Sequence, residues 1–134
     1  MSIYDDIRAV LEVNLSNISG LPSVAWENVS FNPQTQSPYI RPRLVPTIRK
    51  PAVRGLTPQM YYQGYFLVEC YTPENQGPSA ADDLADLIMT NLEATTDISH
   101  NGLTLCLRYA ERDLGRQEGA HYMVPVRIGW YLYQ

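Results

Sequence analysis

The sequence has 134 residues, 45% of them hydrophobic, and its ten Lys and Arg against fourteen Asp and Glu give a net charge of -4. We expect one domain over residues 1–134, because a chain of this length buries enough surface to fold without disulfides or metal, and its apolar content excludes disorder. Two Cys and two His exclude a four-cysteine metal site and lack the paired spacing of a mixed zinc site. Composition therefore favours a structural or binding protein without cofactor over an enzyme.

The first predicted element is an amphipathic helix. Ser2 is placed to cap it, Asp5 and Asp6 stand in its first turn, and Gly20 follows its last apolar residue. The same pattern returns from Ser79, again with acids near the start. We interpret these acids as charges that complement the helix macrodipole rather than as paired catalytic or metal-binding carboxylates.

Elsewhere apolar residues alternate with a period of two, which predicts strands. The predicted strands cover 24–29, 39–45, 60–71, 103–109 and 122–132. Asn101-Gly102 is a strong signal for a tight hairpin turn. Alternation places Leu107 and Tyr109 on one face of their strand. Pro125 cannot donate to a ladder, so it predicts a bulge or a sheet edge in the last strand.

The order of elements predicts an α+β fold: a mainly antiparallel β-sheet, two amphipathic helices packed on one face, and a long basic loop between two strands. That loop is predicted over 46–58, because its prolines deter regular structure. Both faces of the strand over 60–71 are largely apolar, so we expect both to be covered.

Charge is divided unevenly along the chain. Residues 28–68 carry five basic side chains and no acid, while the remaining residues carry five basic and fourteen acidic ones. The five are Arg41, Arg43, Arg49, Lys50 and Arg54. Three interpretations stay open: a solvated loop, a nucleic-acid patch, or an arm that contacts the acidic surface of a neighbouring subunit.

The chain is also rich in tyrosine, a residue typical of interfaces, with ten copies. Five of them lie on strand faces opposite the aliphatic residues, where helices on one side would leave them partly exposed, and such a patch predicts association. These are Tyr61, Tyr65, Tyr71, Tyr131 and Tyr133. With the five basic residues they form the predicted oligomer or partner interface.

The remaining reactive side chains have no partner at motif spacing. We predict that His100, in a tight turn, and His121, at the start of the last strand, are surface histidines. The acids near the N-terminus argue against a secretory signal, so we expect synthesis in a reducing cytoplasm and free thiols at Cys70 and Cys106.

Several short motifs follow one another in a characteristic order. They are Ala25-Trp26-Glu27-Asn28-Val29 with Phe31 and Pro33, Pro38-Tyr39-Ile40-Arg41 with Leu44 and Pro46, Tyr62-Gln63-Gly64-Tyr65-Phe66 through Val68 to Tyr71 and Pro73, Ala80-Ala81 to Leu84-Ala85-Asp86-Leu87-Ile88, and Tyr122-Met123-Val124-Pro125-Val126. In this order, over nearly the whole chain, the sequence resembles the tail terminator proteins of long-tailed bacteriophages (siphophages), a group that includes minor tail protein U-like proteins.

The resemblance implies a structural virion protein, made in the cytoplasm of the host bacterium. Such proteins form a homohexameric ring at the head-proximal end of the tail tube, end tube polymerisation, and join the tail to the head connector. The implied partners are other copies of the chain, the tail tube protein, a head-tail connector or stopper protein, and DNA passing through the lumen. The resemblance brings no catalytic, cofactor-binding or metal-binding residue. Alternatives are another neck component, or a nucleic-acid-binding accessory protein.

Overall fold

A computed structural model describes residues 2–32, 37–53, 55, 59–74, 77–93 and 97–134. Within these residues the chain forms two helices and seven strands, which confirms the α+β prediction. In chain order they are α1 (Ile3–Ser16), β1 (Ser23–Val24), β2 (Tyr39–Pro51), β3 (Met60–Pro73), α2 (Ser79–Asn91), β4 (Asp97–His100), β5 (Leu103–Arg112), β6 (Arg116–Glu118) and β7 (His121–Tyr133).

All the strands belong to one sheet. Its order is β1-β2-β3-β7-β5-β4, and β6 pairs with β7 beyond the end of β5. Neighbours are antiparallel except β1 and β2, which are parallel. The β3–β7 ladder runs without a register shift from Tyr61 opposite Tyr133 to Pro73 opposite His121. It is the central pair of the sheet.

The two helices begin differently. The Ser2 hydroxyl accepts a hydrogen bond from the Asp5 N–H at 3.3 Å, so the predicted cap of α1 is confirmed. In α2 the N-cap position belongs to Pro78, which makes no side-chain cap, and Ser79 is the first helical residue. The prediction that α2 repeats the serine cap is therefore wrong, because the chain enters this helix one residue earlier.

Both helices pack on the same face of the sheet, as predicted. Their buried residues join one hydrophobic cluster with the inward-facing residues of the strands. From the helices the cluster takes Ile7, Val10, Leu11, Leu15, Ile18, Ala81, Leu84, Ala85, Ile88 and Leu92. Phe66 and Val68 of β3 and Val126, Ile128 and Trp130 of β7 supply the middle of the sheet surface, each fully buried. The core therefore lies between the helices and the β3–β7 pair.

The sheet curls around α1. This helix packs on β4 and β5, near one edge of the sheet. From the same helix Arg8 Nη2 lies 3.5 Å from Glu27 Oε2, and Glu27 Oε1 accepts the Leu44 N–H of β2 at 2.9 Å. Because β2 and β4 stand near opposite ends of the strand order, a single helix reaches both only if the sheet is strongly curved.

A smaller cluster covers one end of the helix-free face. Ala25, Tyr39, Tyr71 and Met123 are buried there, and Phe31 packs against them. The segment over 25–31 thus folds back across the sheet. The prediction of a strand over 24–29 is wrong, because β1 ends at Val24 and the backbone then turns, with a φ of 57° at Asn28. The predicted cover on both faces of β3 is present at this end.

His121 belongs to the same cluster. It is 6% exposed, its ring stands edge-on to Tyr39 with centroids 5.1 Å apart, and its Nε2 lies 3.1 Å from the Ser37 carbonyl oxygen. The prediction of a surface histidine is wrong here, because residues distant in sequence cover the start of β7. His100, at the end of β4, is partly exposed.

The predicted hairpin turn is present, and of the two outcomes predicted for Pro125 the structure shows a local sheet edge rather than a bulge. Asn101 and Gly102 both have positive φ, 51° and 83°, as a two-residue hairpin turn between β4 and β5 requires. β5 and β6 both pair with β7 on the side away from β3, and Pro125 lies at the gap between them. The Pro125 carbonyl accepts the Asp113 N–H at 3.1 Å, and since N and O of one strand residue point the same way, the missing N–H faces that gap.

The predicted loop over 46–58 is wrong in its first half. β2 continues through Pro51 and pairs with β3 down to Met60, with one register shift between Pro46 and Ile48. The described part of this segment is therefore the end of a long hairpin. The remainder of the predicted loop, including Arg54 and Pro58, lies largely outside the described residues.

Gly64 offers a test of the packing between β2, β3 and β7. A Cβ at this position would press on the Val45 carbonyl oxygen and stand 2.8 Å from Trp130 Cζ2 and 2.9 Å from Pro46 Cα. We expect Gly64→Ala to lower the free energy of unfolding by about 1–3 kcal/mol, because backbone atoms cannot move aside cheaply. Urea denaturation measures the change.

Gly129→Ala is the matched control. The atoms that its Cβ would meet belong to the ring of Tyr109, an exposed side chain that can rotate away. We expect a smaller loss than for Gly64→Ala. Equal losses in the two variants would contradict the packing described for Gly64.

The two cysteines are free thiols, as predicted, and differ in burial. Burial raises the pKa of Cys70 to about 12, while Cys106 is only half-buried. Because the thiolate is the reacting form, we expect a disulfide reagent at pH 8 to modify Cys106 alone in the native protein. Cys106→Ser should then react only after denaturation. Fast modification of that variant under native conditions would show that Cys70 is accessible.

Candidate interaction surface

The helix-free face of the sheet carries a cluster of aromatic rings, which we call the tyrosine patch: Tyr61, Tyr131 and Tyr133. Their ring centroids lie 5.0–6.3 Å apart, and Tyr133 is 52% exposed. The strand register places Tyr61 directly opposite Tyr133, and the Tyr61 hydroxyl donates to Gln63 Oε1 at 2.7 Å. The patch is thus an ordered aromatic surface at the end of the β3–β7 ladder.

Two cations border the tyrosine patch. Lys50 Nζ lies 5.7 Å from the Tyr61 ring centroid, and the Arg108 guanidinium carbon lies 5.9 Å from that of Tyr131. Each is at a distance where a cation interacts favourably with an aromatic face, by about 0.5–1 kcal/mol at exposed sites. The neighbouring Cys106 side chain raises the pKa of Tyr131, whose hydroxyl is neutral at physiological pH even at the ordinary tyrosine pKa of about 10. The patch therefore presents neutral rings with a positive rim.

The end of the β2–β3 hairpin forms a basic arm, which we define as residues 46–53 of the chain. The side chains over 46–51 are all exposed. Arg49 lies over the Tyr62 ring at 5.9 Å, on the opposite face of the sheet from Lys50. Neither cation forms an ion pair with any residue in the described ranges. Ile48 and Val53, 37% and 63% exposed, add apolar surface to the arm.

The outer edge of β2 is closed to further strand pairing. The Ile40 carbonyl accepts the Ala25 N–H, and the Leu44 N–H donates to Glu27. The backbone N–H and C=O groups of the even-numbered residues in this stretch therefore point away from β3. Pro42 and Pro46 are also even-numbered positions of β2, and proline has no N–H that could donate to a further strand. Prolines at such positions are a common protection against edge-to-edge association. They leave the β2–β3 ladder intact, which explains why the strand does not end at them.

Arg41 and Arg43 have a different setting from the arm. Both flank Glu69, which is 8% exposed, and Arg43 Nη2 lies 2.9 Å from its Oε1 in an ion pair that is not an aligned hydrogen bond. The register places Arg41 directly opposite Glu69. A buried carboxylate requires such compensation. Arg43 therefore compensates the charge of Glu69, and both arginines border a cleft of about 430 Å³ beside Trp26.

Tyr71 and Tyr65 stand apart from the exposed tyrosines. Tyr71 is 9% exposed, and its ring stacks on Tyr39 with centroids 4.4 Å apart. Burial raises the pKa of Tyr71 to about 12. The expectation that Tyr71 is partly exposed is wrong, since the segment over 25–31 covers it. Tyr65 lies half-buried in the middle of the helix-free face, opposite Val45 and Gly129.

The structure thus divides the predicted interface residues into groups. Tyr61, Tyr131, Tyr133 and Lys50 are brought together in one surface, while Arg49 is on the other face of the arm and Arg54 lies outside the described residues. The interface predicted from the sequence did not include Arg108 or Tyr109, which lie on the same face as the tyrosine patch. A register shift between Leu107 and Tyr109 moves Tyr109 to the helix-free face, where it lies against Gly129. Strict alternation cannot show such a bulge.

Other site types have little support in the described part of the chain. The described residues contain no group of three or more His, Cys, Asp or Glu side chains able to hold a metal ion. None of their helices is long and apolar enough to cross a membrane. The arrangement described above consists of aromatic rings, exposed cations and a protected sheet edge, and aromatic rings and cations are features typical of contact surfaces.

Comparison with known proteins assigns the chain to a family. The family model for the phage tail terminator protein matches residues 6–130. No curated protein sequence matches the chain. A solved structure, whose name carries no functional description, is similar with a TM-score of 0.74 at 27% identity, and the match covers 100% of this chain and 96% of that one. Because the family model spans most of the sequence, the chain belongs to the phage tail terminator family, a group of structural proteins of the phage tail.

Proposed function

We propose that the chain assembles into a homohexameric ring at the head-proximal end of the tail tube. There it ends tube polymerisation and provides the surface that joins the tail to the head connector or stopper. The observation that carries this proposal is the family match over residues 6–130. The role is structural and involves no catalytic residue.

The distribution of charge supports self-association. A cyclic ring needs two different, complementary patches on each subunit. The arm supplies exposed cations without acidic partners in the described ranges, and the remainder of the chain outside 28–68 carries a net charge of -9. Opposite charges on two surfaces of one chain favour oriented contact between copies.

The tyrosine patch supports a second contact in the same assembly. Large aromatic groups with a polar tip are enriched where proteins meet. Its rings lie at the end of β3 and β7, on the helix-free face, next to Lys50 of the arm. In our proposal this surface contacts a neighbouring subunit or the tail tube protein. Tyr65, Arg41 and Arg43 lie farther along the same face and form the margin of the contact.

Ring formation is tested first by mass. We expect native mass spectrometry of the purified chain, alone or with tail tubes, to show a species six times the mass of one subunit. Infection by phage that lack the protein should yield tails of unregulated length that are not joined to heads, visible by electron microscopy. Monomers under all conditions, together with normal tails in its absence, would refute the proposal.

Charge reversal tests the arm. We expect Arg49→Glu with Lys50→Glu to raise the concentration needed for half-assembly about tenfold or more, since each 1.4 kcal/mol of lost contact is a factor of ten. Arg116→Glu is the control, because Arg116 is exposed, pairs only with nearby Glu118 and lies outside the arm. Equal assembly of both variants and the wild type would remove the arm from the interface.

The same variants separate the alternative function. A nucleic-acid-binding accessory protein would bind DNA as an isolated chain, with an affinity that falls steeply with salt and falls further on arm reversal. We expect no such binding at low salt in a gel-shift assay. Strong, salt-sensitive binding by monomers would favour the accessory function over the ring.

A further inference from the structure

A cleft beside α2 has the properties of a receptor for the arm. Its volume is about 360 Å³, and its lining is mainly apolar. The residues that matter are Pro22, Pro38, Pro73, Leu84, Leu87 and Asp83. Asp83 is the single charged side chain of the lining, and Asp86 is exposed one turn further along the helix. Neither acid forms an ion pair with a described residue.

The arm of the same chain cannot reach this cleft. Pro38 directly precedes β2 and Pro73 ends β3, so the cleft lies at one end of the β2–β3 hairpin. Lys50 and Met60 lie at the other end. The distance along the strand from Pro38 to Lys50 is roughly 40 Å, at about 3.3 Å per residue. An arm that occupies the cleft must therefore come from another molecule.

We propose that the arm of one subunit docks in the α2 cleft of a second copy of the chain. The proposal rests on the proposed ring, because the second copy is the neighbouring subunit. Arg49 and Lys50, on opposite faces of the arm, carry charge opposite to that of Asp83 and Asp86, and Ile48 and Val53 of the arm match the apolar lining. Complementary charge of this kind fixes orientation, while burial of the apolar groups supplies affinity.

The outer edge of β2 is protected over residues 40–46, next to the arm. Pro42 and Pro46 remove outward N–H donors, and Glu27 occupies that of Leu44. Addition of a strand from a neighbour along this stretch is therefore disfavoured. Docking instead uses the side chains of the arm.

Arm and cleft are different surfaces, so the contact is heterologous. Each subunit then gives one arm and receives another, and repetition of the contact closes a ring when the rotation between neighbours allows it. This geometry makes a distinctive prediction for two variants, one with a defective arm and one with a defective cleft. Together they can form a single arm-to-cleft contact, and therefore a dimer but no larger assembly.

The first experiment blocks the cleft without changing the arm. Ala80 lines the cleft and is exposed at the start of α2, so a large side chain there fills the space without entering the core. We expect Ala80→Trp to raise the concentration for half-assembly by about tenfold or more. Thr90→Trp, exposed at the other end of the same helix, is the matched control and should assemble like the wild type. Circular dichroism and thermal unfolding check that both variants are folded.

The second experiment mixes two defective variants. Ala80→Trp keeps its arm, and the variant with Arg49→Glu and Lys50→Glu keeps its cleft. Alone, each should be monomeric where the wild type forms rings. Mixed in equal amounts, they should form one-to-one heterodimers and nothing larger, as measured by native mass spectrometry. Absence of heterodimers from this mixture would overturn the pairing of arm and cleft.

The third experiment exchanges the charges. Asp83→Lys with Asp86→Lys should abolish assembly, and combination with the reversed arm in one chain should restore at least part of it. If the wild type forms rings and Ala80→Trp does so equally, the docking inference fails while the proposed function stands. If the wild type remains monomeric both alone and with tail tubes, both fail.

Discussion

The uninterrupted pairing of β3 with β7 is the constraint on which the rest of the molecule depends. Side chains alternate with a period of two, so the register of this ladder decides which face each residue occupies. With Phe66 opposite Ile128, the aliphatic set faces the helices. The same register places Tyr61 opposite Tyr133 on the other face. A slip by one residue would bury the tyrosine patch and expose the core, so core and contact surface are fixed by a single ladder.

Curvature of the sheet is seen in the contacts of α1. A flat sheet would leave α1 in contact with one edge only, whereas Arg8 and Glu27 connect this helix to β2 as well as to β4 and β5. Curling brings the helix face inward and turns the helix-free face outward. The exposed aromatic surface therefore lies on the convex side of the sheet, where a second molecule can approach it.

Much of the fold was predictable because the relevant signals are local. The cap at Ser2, the turn at Asn101-Gly102 and the alternation along β3 depend on residues a few positions apart, and the structure confirms all three. The failures involve non-local effects. Whether Pro46 breaks a strand depends on which side its missing N–H faces, and that is set by the neighbouring strand. His121 is buried by a distant segment that crosses it.

The candidate site was predictable in composition more than in arrangement. The uneven charge and the abundance of tyrosine indicated the residues of the candidate surface, but alternation alone could not distinguish Tyr71, covered by the segment over 25–31, from Tyr61. A bulge between Leu107 and Tyr109 likewise has no sequence signal of its own. The four described basic residues form one group in the sequence and two in space. Arg43 pairs with Glu69 and Arg41 lies opposite it in the strand register, while Arg49 and Lys50 form no ion pair with a described residue.

The exposed end of β2 has a further consequence for the assembly that we propose. Its side chains over 46–51 contribute little to the core, so opening this stretch costs less free energy than opening the centre of the sheet. A contact that must first fix such a segment loses part of its gross interaction energy to conformational entropy. In the proposed assembly a single joint is then weaker than its contact area suggests, and closure of the ring, where every subunit gains contacts on two sides, is favoured over open chains of subunits.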